Sequence, residues 1–415
     1  MTPDDLASDP WFQDLFAQRI GGANYGKGSV IYKFEKIKRA KRAALAAHPE
    51  RKLLDFGIGE NDDMADARVR EAMKREVDKR ENRGYADNGI QAFKDAAARF
   101  LERVFGVRLD PVTEINHCIG SKPALAMIPA CFIDPGDVTI MTVPGYPVAG
   151  THTRYYGGQV YAVPLREENG FFPDLEAIPH EIRQRAKLLV LNYPNSPTGA
   201  VATRDFYRRV VDFARKHRIL VVQDAAHILL TYQGEPLSFL QIEGAKEVGL
   251  EVHSLSKGYN MIGWRIGFVA GHARLVQAFA DVKDNCDSGQ FIAIQKAACV
   301  ALDHDDIFLS TRAKYRRRLE KLVAALSQVG FRVRMPGGTY FLYTRAPRAA
   351  AGRSFASAEE FAHYLITEHS VCCVPWDDAG PYLRFSVTYQ AEDEQAEDRL
   401  MAETVDRLSR LRLEF

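Results

Sequence analysis

The stretch HSLSKGYNMIGWRIG, residues 253–267, places one lysine, Lys257, at the end of an apolar run. The residues before it are typical of a short strand that ends in a polar corner, and the overlapping GWRIGFVAG is typical of the next strand. Most lysines are solvated surface residues, and this interpretation stays open. A lysine at such a corner can instead lose water and become a nucleophile for a carbonyl group. Ser254, Ser256 and Arg265 would then suit an anionic group bound beside it.

Upstream of this stretch, short apolar runs alternate with a helical pattern. KLLVLNYPNSPTG (187–199) and RILVVQDAAH (218–227) are typical of strands, whereas RDFYRRVVDFARKH (204–217) has the apolar spacing of a helix. This alternation predicts an α/β fold with a parallel sheet covered by helices. In such sheets ligands bind at the carboxyl ends of the strands. The polar residues at these ends are Asn195, Asp224 and Lys257.

The C-terminal part of the chain has a different pattern. A basic helix, STRAKYRRRLEKLVAALSQVG, is followed by a Gly-rich start of a strand, MPGGTYFLYTR, and by a late strand, YLRFSV. These elements predict a second, smaller α+β lobe. The Ala- and Arg-rich segment TRAPRAAAGRS (344–354) predicts a surface loop.

Composition and charge exclude several classes of protein. The 415 residues are 46% hydrophobic and 26% charged, which is ordinary for a globular protein. Lys+Arg 55 against Asp+Glu 54 leaves a net charge of +1, so nucleic-acid binding has no electrostatic support. The start, MTPDDLASDPWFQDLF, does not resemble a signal peptide, and no apolar run approaches the ~20 residues of a membrane span. The six cysteines form no CxxC pair. We expect a cytoplasmic protein that binds no metal, no membrane and no nucleic acid.

Eight motifs in a fixed order resemble the fold-type I pyridoxal-phosphate (PLP) aminotransferases. They are DFGIGEND, RGYADNGIQAFKDA, IGSKPAL, VPGYPV, NYPNSPTG, QDAAH, SLSKGYNMIGWRIG and YLRFSV. The resemblance implies a large PLP-binding domain (61–305) around a mostly parallel, seven-stranded type of sheet. It also implies a smaller α+β domain (306–415), to which the N-terminal arm and its continuation (1–60) contribute.

The resemblance also implies a set of cofactor contacts. Lys257 would bind PLP covalently and, once released, act as the general base. Asp224 would keep the pyridine nitrogen protonated, although a helix N-cap is an alternative role for it. Tyr146 would stack on the ring, or otherwise stabilise its turn. The phosphate would be held by the side chains or amides of Ser121, Lys122, Ser254, Ser256 and Arg265.

Two positions depart from the family pattern at the contact with the O3′ oxygen of PLP. The family usually has Asn directly before PTG, where this chain has Ser196 preceded by Asn195. It commonly has Tyr three residues after the aspartate, where this chain has His227. A histidine can donate through a ring N–H and can titrate near neutrality, or it can cap a nearby carbonyl. Ser196 is shorter than asparagine, which would leave Asn195 or water to share this contact. We expect His227 to be the main O3′ donor.

The resemblance further implies amino acid and 2-oxo acid substrates bound in a homodimer with shared active sites. Tyr85 would cross to the neighbour's phosphate, and Tyr32 to the neighbour's substrate. Arg384 would bind the substrate α-carboxylate with its guanidinium fork, unless it forms a surface ion pair. Gly59 would allow a close backbone approach, and Lys122 would also contact substrate.

The motifs IYKFEKIKRAK, GIGEND, GSK, PGYPV and DSGQFIAIQ resemble the branch of the family that transfers an amino group from LL-diaminopimelate to 2-oxoglutarate. Other α-amino acid aminotransferases, of the aspartate, alanine or aromatic type, stay as alternatives. A PLP-dependent decarboxylase or lyase is less compatible with Arg384. A non-catalytic regulator built on the same fold is an alternative of a different class.

Overall fold

The computed structural model describes residues 10–27 and 33–415. The strands are β1 (Leu54–Asp55), β2 (Ile115–Cys118), β3 (Val138–Val143), β4 (Gln159–Pro164), β5 (Ala186–Asn192), β6 (Leu220–Asp224), β7 (Gly249–Ser254), β8 (Gly267–Gly271), β9 (Phe341–Arg345), β10 (Ala349–Ala350), β11 (Arg353–Ser354), β12 (Val371–Cys372), β13 (Val374–Trp376) and β14 (Tyr382–Ser386). The α-helices are α1 (Pro10–Gln13), α2 (Lys33–Ala47), α3 (Ala67–Val77), α4 (Gln91–Phe105), α5 (Ser121–Phe132), α6 (Val148–Tyr155), α7 (His180–Arg185), α8 (Arg204–His217), α9 (Leu255–Gly258), α10 (Ala273–Asp284), α11 (Ile292–Leu302), α12 (Asp305–Gln328), α13 (Ala358–His369) and α14 (Glu394–Leu408). Short 3-10 turns occupy Gln18–Ile20, Gly22–Asn24, Arg80–Arg83, Glu167–Asn169 and Phe239–Gln241.

Within the described part of the chain, seven strands form the central sheet in the order β2-β8-β7-β6-β5-β3-β4. Strands β4, β3, β5, β6 and β7 run parallel, whereas β8 is antiparallel to both of its neighbours. The prediction of an α/β fold with a mostly parallel sheet of seven strands is therefore confirmed. The order also places the carboxyl ends of β5, β6 and β7 side by side.

Both faces of this sheet are covered by helices, which explains its continuous apolar runs. Successive side chains of a strand point to opposite faces. In β5, Leu189 and Leu191 pack in the core that includes residues of α4 and α8. Leu188 and Val190 pack on the other face with residues of α5 and α10. From Leu188 to Leu191 the strand is thus apolar at every position, and its last residue, Asn192, is polar and lies at the carboxyl end of the strand.

A second sheet among the described residues is antiparallel, in the order β13-β14-β9. Beside it, β1 pairs in parallel with β12 through Leu54 and Val371, so segments from both parts of the chain meet there. This arrangement matches the predicted smaller α+β lobe, while its exact limits stay a prediction. No helix of residues 10–27 and 33–415 has the length and apolarity needed to cross a membrane.

The prediction of a simple surface loop at 344–354 is wrong. Strands β10 and β11 form an antiparallel pair there, and Ala350 is fully buried. Ala349 also exchanges backbone hydrogen bonds with Glu414, near the C-terminus of the chain. The arginines in this segment favoured an exposed position in the sequence analysis. The pairing with Glu414 is distant along the chain and leaves no local pattern that would indicate burial.

Candidate active site

A cavity of about 670 Å³ lies where the carboxyl ends of β5, β6 and β7 meet the small sheet. This volume is in the range of sites for small molecules. The lining residues are Gly59, Ser121, Lys122, Gly145, Tyr146, Pro147, Asn192, Ser196, Asp224, Ala226, His227, Ser254, Ser256, Lys257, Arg265, Tyr340, Phe341, Trp376, Asp378 and Arg384. The cavity therefore collects most of the residues predicted from sequence.

Lys257 enters this cavity from α9, directly after β7. Ser254 caps α9, because its Oγ accepts a hydrogen bond from the amide of Ser256 at 3.2 Å. The Lys257 Nζ donates to the carbonyl of Gly59 at 3.2 Å and lies 5.3 Å from the centre of the Tyr340 ring. The lysine is half-buried. Its amine is thus held within the lining of the cavity by these contacts.

Asp224 ends β6 at the buried side of the cavity and is 5% exposed. Its Oδ1 accepts one hydrogen bond, from the amide of Ala226 at 3.1 Å. A turn follows rather than a helix, so the alternative role as a helix N-cap is not observed. Burial raises the pKa of Asp224 to about 6. A buried carboxylate with a raised pKa is suited to a cationic partner.

His227 lies beside Asp224 and is 6% exposed. Its ring meets the Tyr340 ring edge to face, with centroids 5.2 Å apart. The Nδ1 atom has no hydrogen-bond partner among the described residues. Burial lowers the pKa of His227 well below its ordinary value. This shift favours the neutral imidazole, which carries one ring N–H.

Asn195 is one predicted residue that the structure places elsewhere. Its carboxamide oxygen accepts hydrogen bonds from the amide (3.2 Å) and hydroxyl (2.7 Å) of Thr198, and it is not among the described lining residues. Asn192 lines the cavity instead, together with Ser196. The Asn192 amide group donates to the Asp224 carbonyl at 2.9 Å. The sequence could have indicated Asn192, because it is the polar residue that ends the apolar run LLVLN. In the sheet it lies opposite Asp224.

Ser121, Ser256 and Arg265 give the cavity donor groups that suit an anion. Helix α5 begins at Ser121, and its first amides have no partner within the helix. The guanidinium of Arg265 donates from Nη1 to Ser256 Oγ at 3.3 Å. Gly120 has φ +83°, and a Cβ there would lie 2.5 Å from Arg265 Nη2. A glycine is needed at this position because the guanidinium packs against its backbone.

The lining of the cavity also contains Arg384, on β14. This arginine is buried, so the alternative of a surface ion pair is wrong. Its Nη2 donates to the Gly57 carbonyl at 3.3 Å, and its guanidinium carbon lies 4.2 Å from the centre of the Phe341 ring. A Cβ at Gly59 would come within 3.7 Å of the same Nη2, so the glycine leaves the guanidinium accessible from this side.

Three predicted tyrosines have different outcomes. Tyr146 lines the cavity and is exposed. Tyr85 is 85% exposed and does not belong to the described lining. Tyr32 lies outside the described residues. Sequence reasoning missed the wall formed by Tyr340, Phe341, Trp376 and Asp378; the quoted MPGGTYFLYTR contained its first two members without any chemical signal.

Comparison with known proteins agrees with this geometry. The family described as aminotransferase class I and II matches residues 51–400. The chain is 55% identical, over 98% of its length and all of the relative, to LL-diaminopimelate aminotransferase of Methanocaldococcus jannaschii. It is 54% identical, over the same shares, to that of Methanococcus maripaludis. The solved structure of a single mutant of Thermus thermophilus aspartate aminotransferase matches with a TM-score of 0.83 and 26% identity, covering 95% of this chain and 99% of that one.

The residues present fit the cofactor of this family. Donor groups for an anion, a buried carboxylate and a lysine inside one cavity suit the phosphate, the ring nitrogen and the aldehyde of PLP. The orphan Nδ1 of His227 adds a polar group that points to a ligand. This chain belongs to the class I and II aminotransferase family and is a pyridoxal-phosphate-dependent transaminase.

Proposed function

We propose that this enzyme transfers an amino group from LL-diaminopimelate to 2-oxoglutarate, forming tetrahydrodipicolinate and glutamate. The observation that carries this proposal is the identity of 55% and 54% to two relatives named LL-diaminopimelate aminotransferase, over nearly the whole chain. The reaction would belong to the biosynthesis of lysine and of peptidoglycan precursors. We propose that it takes place in the cytoplasm.

Lys257 and Asp224 would perform the central chemistry. When bound, PLP supplies an electron sink that makes the Cα–H bond of an amino acid acidic. The amine of Lys257, released from the cofactor, would take this proton from Cα and deliver it to C4′, the aldehyde carbon of the cofactor. Asp224 would hold the positive charge on the ring nitrogen. Its burial supports this role, because a cation beside it would relieve the cost of an unpaired buried carboxylate.

The remaining cofactor contacts would orient the ring. The phosphate would lie among the hydroxyls and amides at Ser121, Lys122, Ser254 and Ser256, with the guanidinium of Arg265 neutralising its charge. Tyr146 would cover one face of the ring.

The O3′ oxygen of the cofactor would accept a hydrogen bond from His227, whose ring is buried, has a lowered pKa and has no partner at Nδ1 among the described residues. Asn192 and Ser196 also line the cavity and are further polar candidates for this contact. Asn195 would act indirectly, because its bonds to Thr198 hold the turn that positions Ser196.

Arg384 would bind the α-carboxylate of the substrate. Its guanidinium is buried between the Phe341 and Trp376 rings, 4.2 and 5.6 Å from their centres, which fixes its plane. A fixed guanidinium plane favours bidentate binding of a carboxylate. The nearby Gly59 would let the substrate approach, while its carbonyl accepts a hydrogen bond from the Tyr340 hydroxyl at 2.8 Å.

The active form would be a homodimer with shared active sites. Tyr85 is a large aromatic residue that is 85% exposed, and burial against a second copy would cover it. Tyr85 and Tyr32 would then reach the neighbouring cavity.

A comparison of amino donors tests the proposed function. Glutamate formed from 2-oxoglutarate is measured with LL-diaminopimelate, its meso isomer, aspartate, alanine and phenylalanine. We expect the highest kcat/KM with LL-diaminopimelate and a lower one with the meso isomer. A higher value with aspartate or phenylalanine would assign the enzyme to another substrate class.

A further inference from the structure

Among the described residues, six charged side chains line the active-site cavity: Lys122, Asp224, Lys257, Arg265, Asp378 and Arg384. Under the proposed function, Asp224, Lys257 and Arg265 serve the cofactor, and Arg384 serves the α-carboxylate. The remaining pair is one cation, Lys122, and one carboxylate, Asp378. This pair carries the charges that complement a second amino acid head group, with its own carboxylate and ammonium.

Asp378 lines the same cavity as Arg384 but is exposed, whereas Arg384 is buried. Strands β13 and β14 are antiparallel, with Val374 opposite Arg384 and Trp376 opposite Tyr382. Asp378 follows two positions after Trp376, in the turn between these strands. Exposure increases in the same direction, from 5% at Arg384 to 9% at Trp376, and Asp378 is exposed. A substrate bound by Arg384 can therefore extend along the Trp376 ring toward the Asp378 carboxylate.

We propose that Asp378 binds the distal ammonium group of the substrate and selects for amino acids that carry a second amine. This inference rests on the proposed function and adds a residue that determines specificity. A carboxylate can accept hydrogen bonds from several N–H donors. It attracts an ammonium ion and repels a second carboxylate. Donors with an uncharged or purely acidic distal end would gain nothing from this contact.

The test compares two amino donors in the holoenzyme: LL-diaminopimelate and L-2-aminopimelate, which has the same carbon chain and both carboxylates but lacks the distal amine. The variant is Asp378→Asn, which keeps the shape of the side chain and removes its charge. The matched control is Asp377→Asn. The Asp377 carboxylate accepts bonds from the amides of Ala358 (2.9 Å) and Glu359 (3.1 Å), and it does not belong to the described lining.

We expect the wild-type enzyme to prefer LL-diaminopimelate over L-2-aminopimelate by about 10- to 100-fold in kcat/KM, as a charge-assisted hydrogen bond permits. In Asp378→Asn the preference falls to about threefold or less, through a higher KM for LL-diaminopimelate with kcat nearly unchanged. Asp377→Asn keeps the wild-type preference.

Two results would overturn the inference, and only one of them would also overturn the proposed function. If the wild-type enzyme discriminates and Asp378→Asn discriminates equally, the distal amine is bound elsewhere while the proposed function stands. If the wild-type enzyme does not turn over LL-diaminopimelate, the proposed function fails together with the inference.

Discussion

Arg318 and Asp224 are both buried charged residues, but their surroundings differ. Arg318, on α12, is 1% exposed. It donates from Nε to Glu397 at 2.7 Å and from Nη1 to Asp62 at 3.0 Å. Burial by itself would raise the pKa of Glu397, but hydrogen bonds from Arg318 and its basic neighbours on α12 lower this pKa to about 2. Asp224 has one backbone hydrogen bond, and its burial raises its pKa to about 6.

The difference between the two regions separates structural from functional charges. Around Arg318 each carboxylate has a basic partner within the chain, so the carboxylates can stay ionised. The resulting ion pairs join segments that are distant in sequence. In the cavity, Asp224 and His227 keep polar atoms that the described protein atoms satisfy only in part. Buried groups with incomplete partners and shifted pKa values mark a site that a ligand completes.

Replacing Lys257 by Ala should have the largest effect on function and little effect on stability. Loss of the general base lowers the rate of transamination by on the order of 10⁴-fold. Borohydride reduction should no longer link PLP to the protein, and the unfolding midpoint should stay near that of the wild type. Lys216→Ala, at an exposed position of α8, is the control. Normal turnover with a reducible link at another lysine would contradict the assignment.

Arg318→Met should show the reverse pattern. It leaves Glu397 and Asp62 buried with fewer partners, and we expect unfolding to become easier by about 3–5 kcal/mol at pH 7. This loss shrinks as pH falls from about 4.5 toward 2, because the lowered pKa of Glu397 contributes stability only while the carboxylate is ionised. Denaturant unfolding across this pH range measures the effect.

The control for this variant is Arg316→Met, on the exposed side of the same helix, where an ion pair contributes about 0–1 kcal/mol. The kcat of Arg318→Met should fall by less than about tenfold. Equal losses of stability in both variants would show that Arg318 has no special structural role.

Asp224→Asn should affect activity and stability in opposite directions. Transamination should fall roughly 100-fold or more, because the partner of the ring nitrogen is lost. The cofactor-free variant should be more stable than the wild type. Because the pKa of Asp224 is raised, the wild type loses stability as pH rises from about 4 through about 6. The difference in unfolding free energy in favour of Asp224→Asn should therefore be larger at pH 8 than at pH 5. Unfolding at both pH values tests this, with exposed Asp212→Asn as control.

His227→Phe should have the smallest effect. It keeps a ring against Tyr340 and removes one hydrogen-bond donor, so we expect about a tenfold loss of kcat/KM. Burial lowers the pKa of His227, so its titration should not contribute to the pH–rate profile near pH 6.5. The wild type and the variant should therefore have the same profile in this range. The absorbance titration of bound PLP should shift, and His227→Asn should restore part of it. An unchanged titration would mean that another group holds O3′.

Much of the fold and of the candidate site follows from local sequence. The helix predicted at 204–217 is α8, Arg204–His217, because its apolar spacing extends over the whole element. The strands that end near Asp224 and Lys257 were also predicted, since continuous apolar runs mark strands buried on both faces. A parallel sheet then brings these ends together whatever the details of the loops.

Other features depended on contacts that no local pattern records. Asn192 ends β5, and Asn195 lies three residues later in the turn that follows. Only the folded structure decides that Thr198 bonds to Asn195 and that Asn192 faces the cavity. Burial lowers the pKa of His227, and the rings packed against it belong to residues more than a hundred positions away. Sequence alone thus determined the elements and the reactive residues at their ends. Tertiary structure decided burial, partners and charge state, because these depend on the distance between groups that are far apart along the chain.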